Sequence, residues 1–314
     1  MPCTATPCCS NHQHREKEVV PTDFEISDFL SRDLGLKAAE LDSDGTARVS
    51  LAVHKLLERW EMRSNPDALE AVNNERLGLL KEGTWLESDP VEKDTLVSRA
   101  RAAGEHIHLG ELMPIASIKH YESPELRKYK GRIVFRGDNV KDQNGALAVF
   151  QELSASPSAI HSINSNMAYG CIAGHKTTAS DALQAYLQAD LQTKHATWVL
   201  IPRELWPEDW HHKGYQRPMC RLIKSLYGHP ESGGHWERHL TKAVVGIGGK
   251  PVKDHPSSFW FEESRLLLSV YVDDLLLSGP EDEHEGFWRK LRETIRLGDP
   301  EPLERYLGRE HRYF

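Results

Sequence analysis

Long apolar runs and a secretion signal are both missing from this sequence. The chain has 314 residues and a mean hydropathy of -0.56, and no stretch approaches the length needed to cross a bilayer. The first residues, MPCTATPCCS, lack the basic start and the apolar core of a signal peptide. We therefore expect an intracellular protein, cytoplasmic or nuclear, that is neither secreted nor associated with a membrane.

Cysteine is scarce as well. Five cysteines, an odd number, indicate reduced thiols rather than a disulfide framework. Cys3, Cys8 and Cys9 lie near His12 and His14, but the spacing fits none of the common zinc patterns. An unstructured N-terminal tail is the simpler interpretation.

A strong basic charge, typical of nucleic-acid-binding proteins, is also absent. The net charge is -8, which counts against a large nucleic-acid interface. The charge is unevenly spread, because residues 130–240 contain 12 Lys and Arg against 10 Asp and Glu. The whole-chain charge therefore weakens a nucleic-acid function without excluding it.

Strand-like and helix-like segments alternate along the chain without an internal repeat. Residues 24–80 show helical spacing, as at Leu56, Leu57 and Trp60. Residues 107–137 alternate as strands do, and residues 282–297 predict an amphipathic helix. This succession predicts an α+β fold.

The most informative segment is 269–279, SVYVDDLLLSG. Asp273 and Asp274 interrupt an apolar run, where a buried carboxylate costs several kcal/mol unless it is compensated. A tight turn between two short strands would place both acids at one rim of a sheet, where a divalent cation could neutralise them. Considered alone, the pair also fits an ordinary hairpin turn, since Asp favours turns.

A two-metal site needs a third carboxylate, and Asp181 is the best candidate. Two divalent metals about 3.5–4 Å apart catalyse in-line phosphoryl transfer in polymerases, and magnesium prefers oxygen ligands. Asp181 lies in TTASDALQAYLQA, where an extended segment becomes helical. Tyr186 follows five residues later and could exclude a sugar 2′-hydroxyl by its shape. Alone, Asp181 also fits a helix N-cap, and Tyr186 also fits a core residue.

At this point the sequence resembles the reverse transcriptase of copia-type LTR retrotransposons. Six landmarks occur in the order of that family, over roughly residues 70–312. They are Gly83-Thr84-Trp85, Lys130-Gly131-Arg132-Ile133-Val134 with Arg136-Gly137, Asp181 with Ala185-Tyr186-Leu187, Ser225-Leu226-Tyr227-Gly228 with Ser232 and Trp236, Tyr271-Val272-Asp273-Asp274, and Tyr306-Leu307-Gly308. A single four-residue match would arise by chance, whereas six in order form a specific pattern.

The resemblance implies the fingers and palm of a right-hand polymerase. The palm would be an antiparallel sheet with helices on one face, and the thumb would be largely absent because little follows Gly308. We expect an N-terminal tail and helical extension of unknown role at 1–66, a fingers-like segment at 67–157 and the palm at 158–314.

By the same resemblance, Asp181, Asp273 and Asp274 are the catalytic residues and ligands of Mg²⁺, with Mn²⁺ as an alternative. A larger set would bind the nucleotide: Lys130, Arg132, Arg136, Tyr186, Tyr227 and Gly228. Tyr271 would contact primer or template. The implied partners are a primed RNA or DNA template, deoxynucleoside triphosphates and other parts of a Pol polyprotein, and no membrane. The basic residues also fit an ordinary solvated strand face, and Gly228 a simple turn.

One departure from the family pattern keeps a rival function open. His229-Pro230-Glu231-Ser232-Gly233 stands where the family has Leu-Lys-Gln-Ser/Ala-Pro, so a Lys and a Gln are lost and an acid is gained. The rival is a catalytically silent retrotransposon remnant, or a nucleic-acid-binding fragment, that keeps the palm fold. A second rival is a globular protein with a chance Tyr-x-Asp-Asp turn, which predicts that Asp181 lies far from Asp273.

Overall fold

The structure is a computed structural model that describes residues 55–150 and 155–307, with the backbone of short strands at 40–41, 47–48 and 309–310. All of these residues belong to one compact unit, Leu34–Phe314. The predicted N-terminal tail and its cysteines lie outside the described residues.

Seven α-helices and seventeen strands occur among the described residues. The helices are α1 (Arg59–Ser64), α2 (Pro66–Lys81), α3 (Lys93–Ala103), α4 (Ile160–Gly170), α5 (Glu208–His212), α6 (Ser232–Gly246) and α7 (His284–Arg292). The strands are β1 (Glu40–Leu41), β2 (Ala47–Arg48), β3 (Lys55–Leu56), β4 (Val91–Glu92), β5 (Ile107–Lys119), β6 (Lys128–Phe135), β7 (Lys141–Asp142), β8 (His175–Asp181), β9 (Ala196–Leu200), β10 (Pro218–Arg221), β11 (Lys250–Pro251), β12 (Ser258–Phe261), β13 (Leu266–Tyr271), β14 (Asp274–Pro280), β15 (Glu301–Pro302), β16 (Arg305–Tyr306) and β17 (Arg309–Glu310). None of these helices has the length and apolar character needed to span a bilayer.

The first large sheet, called sheet 1, has the strand order β3-β5-β9-β10-β4, and β6 and β7 also pair with β5. The pairing of β5 with β9 is parallel and the other pairs are antiparallel. Lys55 pairs with Ile118 at one edge, so Lys55–Leu56 is a strand rather than part of the predicted helix. The helical prediction failed there because an edge strand takes its stability from a partner about sixty residues away.

Helix α2 forms where the sequence supplies an N-cap and an apolar stripe. The Asn65 side chain accepts hydrogen bonds from the amides of Asp67 (3.0 Å) and Ala68 (3.2 Å), and Pro66 occupies the first turn. The buried face of α2 packs against Ile133 and other core residues of sheet 1. Gly131 permits the close approach of α2 to β6, because a Cβ there would lie 2.4 Å from the Ala71 carbonyl oxygen.

The second large sheet, called sheet 2, is antiparallel throughout, with the order β11-β12-β13-β14-β8-β15. The two sheets interleave along the chain, because β8 belongs to sheet 2 whereas β9 and β10 return to sheet 1. The expected division between residues 157 and 158 therefore does not coincide with the division between the sheets.

Helices cover both faces of sheet 2, which corrects the prediction of helices on one face. Leu276 packs with Ile163 of α4, whereas its neighbours Leu275 and Leu277 pack with residues of α6 and α7. Successive strand residues point to opposite faces, so α4 lies on one face and α6 and α7 on the other. The physical reason is that β14 is buried on both sides, and each apolar face needs cover.

Candidate active site

The two adjacent aspartates lie at a tight turn, as the sequence predicted. Tyr271 of β13 pairs with Asp274 of β14, so Val272 and Asp273 form a two-residue loop. Val272 has a φ of 57°. A positive φ at the first loop position is typical of the turns that join two-residue hairpins, but it is strained for a β-branched side chain.

Asp181 and Asp274 lie directly opposite each other on neighbouring strands. The antiparallel register of β8 and β14 pairs these two residues, and such pairs point to one face with Cβ atoms about 4.5–5.5 Å apart. The Ala182 amide also donates a 2.7 Å hydrogen bond to the Asp273 carbonyl oxygen. The rival in which a chance turn lies far from Asp181 is therefore contradicted by the backbone geometry.

The donor set at this rim suits a hard divalent cation. Three carboxylates supply the oxygen ligands that Mg²⁺ and Mn²⁺ prefer. Burial raises the pKa of the Tyr306 hydroxyl, and the charges of Asp274, Asp181 and Asp273 raise it further. Over residues 55–150 and 155–307, no group of three or more His, Cys, Asp or Glu side chains is already assembled around a metal position. The three carboxylates thus lie at the same end of the hairpin, but they do not surround a common metal position.

Two side chains form hydrogen bonds to the tip of this hairpin. The sequence motifs predicted no role for either of them. The Trp236 indole Nε1 donates to the Val272 carbonyl oxygen at 2.7 Å. The Tyr306 hydroxyl donates to the Asp274 carbonyl oxygen at 3.3 Å. Both residues belong to sequence landmarks, so the sequence marked these positions. Only the folded structure shows which atoms their side chains contact.

Tyr186 and Tyr227 contact each other, and Tyr227 is within electrostatic reach of Asp273. Tyr186 belongs to a 3₁₀ turn (Ala185–Gln188), and its ring centroid is 4.5 Å from that of Tyr227. Tyr186 packs on the core formed by sheet 2, α6 and α7. Burial raises the pKa of Tyr227, and the Asp273 carboxylate raises it further, whereas Arg132 lowers it. Tyr227 is therefore within electrostatic reach of both the acidic rim and the basic strand β6.

Two of the three predicted basic residues share a groove. Lys130 and Arg132 line a cavity of about 500 Å³ between β6 and α2, together with acidic residues of α2 that include Glu75. Burial and the neighbouring Arg132 lower the pKa of Lys130 to about 8. Burial raises the pKa of Glu75.

Arg136 lies apart from that groove. Its guanidinium contacts Asp138 at 3.0 Å and Glu111 at 3.8 Å, and it does not line the cavity. The first partner is only two residues away in the sequence, so local charge pairing explains this position.

Tyr271 lies beside the acids, and its side chain is half-buried. By strand pairing its side chain points to the same face as Asp274. It packs there with Ile163 of α4 and Leu303. The structure therefore brings Asp181, Asp273, Asp274 and Tyr271 together at one end of the hairpin. Tyr186 contacts Tyr227, and Tyr227 is within electrostatic reach of Asp273 and Arg132.

One comparison with known protein families complements this geometry. Residues 116–312 match a family model described as reverse transcriptase (RNA-dependent DNA polymerase). The match covers more than half of the chain and includes the Asp181 strand, the Tyr227 turn and the Asp273-Asp274 hairpin. The chain therefore belongs to the reverse transcriptase (RNA-dependent DNA polymerase) family.

Proposed function

We propose that this chain is an RNA-directed DNA polymerase of a copia-like retrotransposon that adds deoxynucleotides to a primer 3′-end. The observation that carries the proposal is the register of Asp181 opposite Asp274, with Asp273 in the adjoining loop. Family membership supports the reaction class. The order of the six landmarks supports the copia-like type.

Asp181, Asp273 and Asp274 would hold Mg²⁺, or Mn²⁺ in its place. Bound metal in such a site activates the primer hydroxyl and stabilises the departing pyrophosphate. The backbone turn holds Asp273 and Asp274 at the rim, and β8 presents Asp181 beside them. Tyr271, on the same face as Asp274, is the proposed contact to primer or template.

The nucleotide would lie between the acidic rim and the Lys130–Arg132 groove. Cationic side chains on β6 would contact the triphosphate, where charge-assisted hydrogen bonds are strong. Arg136 is a further proposed contact and would first have to leave Asp138. Tyr186 would exclude a ribose 2′-hydroxyl, with Tyr227 and Gly228 shaping the pocket beneath it.

In polymerase terms, we propose that sheet 1 with α1 and α2 forms the fingers and that sheet 2 with α4, α6 and α7 forms the palm. With this assignment the fingers and the palm each consist of several chain segments that alternate along the sequence, instead of two segments divided between residues 157 and 158. Template, primer and deoxynucleoside triphosphates are the proposed partners, with other Pol segments as further ones.

The test is primer extension on a primed RNA template with Mg²⁺ or Mn²⁺. The wild-type chain should extend the primer, and Asp274→Asn should reduce the rate by about 10²–10³-fold or more, because the site loses a carboxylate that would hold the metal. The matched control is Asp282→Asn in an exposed turn (Glu281–Glu283), which should extend as the wild type does. Extension that survives Asp274→Asn would refute the metal-ligand assignment.

The silent remnant remains the second candidate because of the substituted His229–Gly233 segment. The structure weakens one argument for it, since Glu231 is buried and lies 3.5 Å from His235. The acid gained there is therefore not exposed at the surface. Binding of primed template without extension by the wild type, under either metal, would favour the remnant.

A further inference from the structure

Three consecutive carbonyl oxygens at the hairpin tip are each held by a different element. Trp236 of α6 donates to the carbonyl of Val272 at 2.7 Å. The amide of Ala182, directly after β8, donates to that of Asp273 at 2.7 Å. The Tyr306 hydroxyl of β16 donates to that of Asp274 at 3.3 Å.

These bonds fix the orientation of the peptide planes on both sides of the two acids. The direction of the Val272 carbonyl sets the plane that joins Val272 to Asp273, and the Asp274 carbonyl sets the plane that follows Asp274. The Cα–Cβ directions of both aspartates follow from those planes. Val272 needs such support, because a β-branched residue at a φ of 57° keeps that conformation only where its surroundings impose it.

The two side-chain donors, Trp236 and Tyr306, are both buried. Trp236 is 2% exposed, so its indole N–H must find an acceptor inside the protein, and the Val272 carbonyl is that acceptor. Tyr306 is 5% exposed, so its hydroxyl also needs an acceptor inside the protein, and the Asp274 carbonyl is that acceptor.

We propose that Trp236 and Tyr306 are positioning residues that aim the Asp273 and Asp274 carboxylates toward a shared metal site. The proposal rests on the proposed polymerase function for its catalytic consequence. Its structural part concerns metal affinity and the order of the hairpin tip, and these can be measured without catalysis.

The key variant is Trp236→Phe, which keeps an aromatic ring in the core and removes the N–H donor. The matched control is Trp288→Phe in α7. The Trp288 indole is equally buried and donates at 2.9 Å to the Thr178 hydroxyl of the same sheet, away from the tip. Tyr306→Phe removes the second donor in the same conservative way.

Four readouts on the full chain test the proposal: Mn²⁺ affinity by electron paramagnetic resonance, amide hydrogen exchange of the tip, thermal unfolding and primer extension. Trp236→Phe and Tyr306→Phe should each weaken Mn²⁺ binding about 10–100-fold, as expected for groups that orient metal ligands. Exchange at residues 272–274 should become faster. The rate constant kcat should fall while KM for the deoxynucleotide stays within about twofold. Trp288→Phe should lower the melting temperature to a similar extent as Trp236→Phe and change none of the other readouts.

Equal Mn²⁺ affinity in Trp236→Phe, Trp288→Phe and the wild type would overturn the proposal and leave Trp236 as a core residue. Absence of Mn²⁺ binding by the wild type would overturn it as well. Mn²⁺ binding that Trp236→Phe weakens, in a wild-type chain that extends no primer, would support the positioning role and refute the polymerase function alone.

Discussion

The carbonyl oxygen of Phe135 lies only 2.1 Å from the position that a Cβ on Gly228 would occupy. The approach is reciprocal, because a Cβ on Gly137 would lie 2.3 Å from the Gly228 carbonyl oxygen. The Phe135 amide also donates to the Tyr227 carbonyl oxygen at 2.7 Å. Two sequence landmarks therefore pack backbone against backbone, and this contact joins the end of β6 to the turn beside the acids.

Replacing Gly228 with alanine should destabilise the fold. Gly228 has a φ of 85°, so Ala would combine backbone strain with a collision, at a cost of order 1–3 kcal/mol or more. The control is Gly286→Ala, inside α7, where a Cβ would meet nothing within 4 Å. That change should stabilise by up to about 1 kcal/mol. Urea unfolding of both variants measures the difference, and equal stability would contradict the close packing.

Deprotonation of the Lys130 amine should make nucleotide use less efficient at alkaline pH. Its pKa is lowered to about 8, so the amine loses its charge as pH rises through that value and attracts a triphosphate less. We expect kcat/KM for a deoxynucleotide to fall between about pH 7 and 9, since this ratio reports ionisations of the free enzyme. Lys130→Arg should remove the fall because Arg stays charged. Lys128→Arg, on the exposed start of the same strand, should keep the wild-type profile.

Tyr186 should control the choice between deoxy- and ribonucleotides. Tyr186→Ala should lower the ratio of kcat/KM for dNTP over rNTP by about tenfold or more, because it removes the ring that we propose excludes the 2′-hydroxyl. Tyr186→Phe keeps the ring against Tyr227 and should keep the ratio. A ratio unchanged in both variants would leave Tyr186 with a packing role only.

The Arg76–Glu87 ion pair should matter for stability more than exposed pairs do. Both side chains are largely buried (9% and 14% exposed), and Glu87 also accepts a 3.0 Å hydrogen bond from the Trp85 indole. Removing one partner of a buried pair costs about 3–5 kcal/mol, so Glu87→Ala should lower the unfolding free energy by that order. Glu262→Ala, which breaks a surface pair with Lys250, should leave the unfolding midpoint unchanged.

His108 should make the fold sensitive to acid. It is buried with both ring nitrogens lacking a hydrogen-bond partner in the structure. Burial, then the neighbouring His195 and His106, lower its pKa from 6.5 to about 4. Between these pH values the unfolded chain binds the extra proton, so the unfolding free energy should decrease as the pH falls from about 6.5 to 4.

The check is urea unfolding of His108→Leu across that range. Leucine leaves no unsatisfied nitrogen, so we expect equal or higher stability at pH 7 and a shallower loss toward pH 4. A large loss of stability at pH 7 would show instead that the imidazole has a partner that stabilises it.

The sequence was most informative where one motif determines local geometry. The tight turn at Val272-Asp273 follows from two acids inside apolar strands. Asp181 was expected to join Asp273 and Asp274 as a third carboxylate, and only the register shows that it lies directly opposite Asp274.

The rest depends on contacts between distant segments. The spacing of Leu56, Leu57 and Trp60 fits a helix, but Lys55–Leu56 pairs with β5 because a strand edge is available there. Leu275 to Leu277 were recognised as apolar, yet covering helices come from three separate parts of the chain. Hydrogen bonds such as Trp236 to Val272 have no periodicity that a sequence pattern could reveal.

The interleaving of the two sheets has a consequence for synthesis on the ribosome. Asp181 leaves the ribosome well before its strand partner Asp274, and β9, β10 and α6 are made in between. Strand β8 cannot pair with β14 until β14 has been synthesised, whereas β9 can pair with β5 as soon as it has left the ribosome. A nascent chain can thus complete most of sheet 1 early, but any message truncated before codon 274 yields a product without the paired carboxylates.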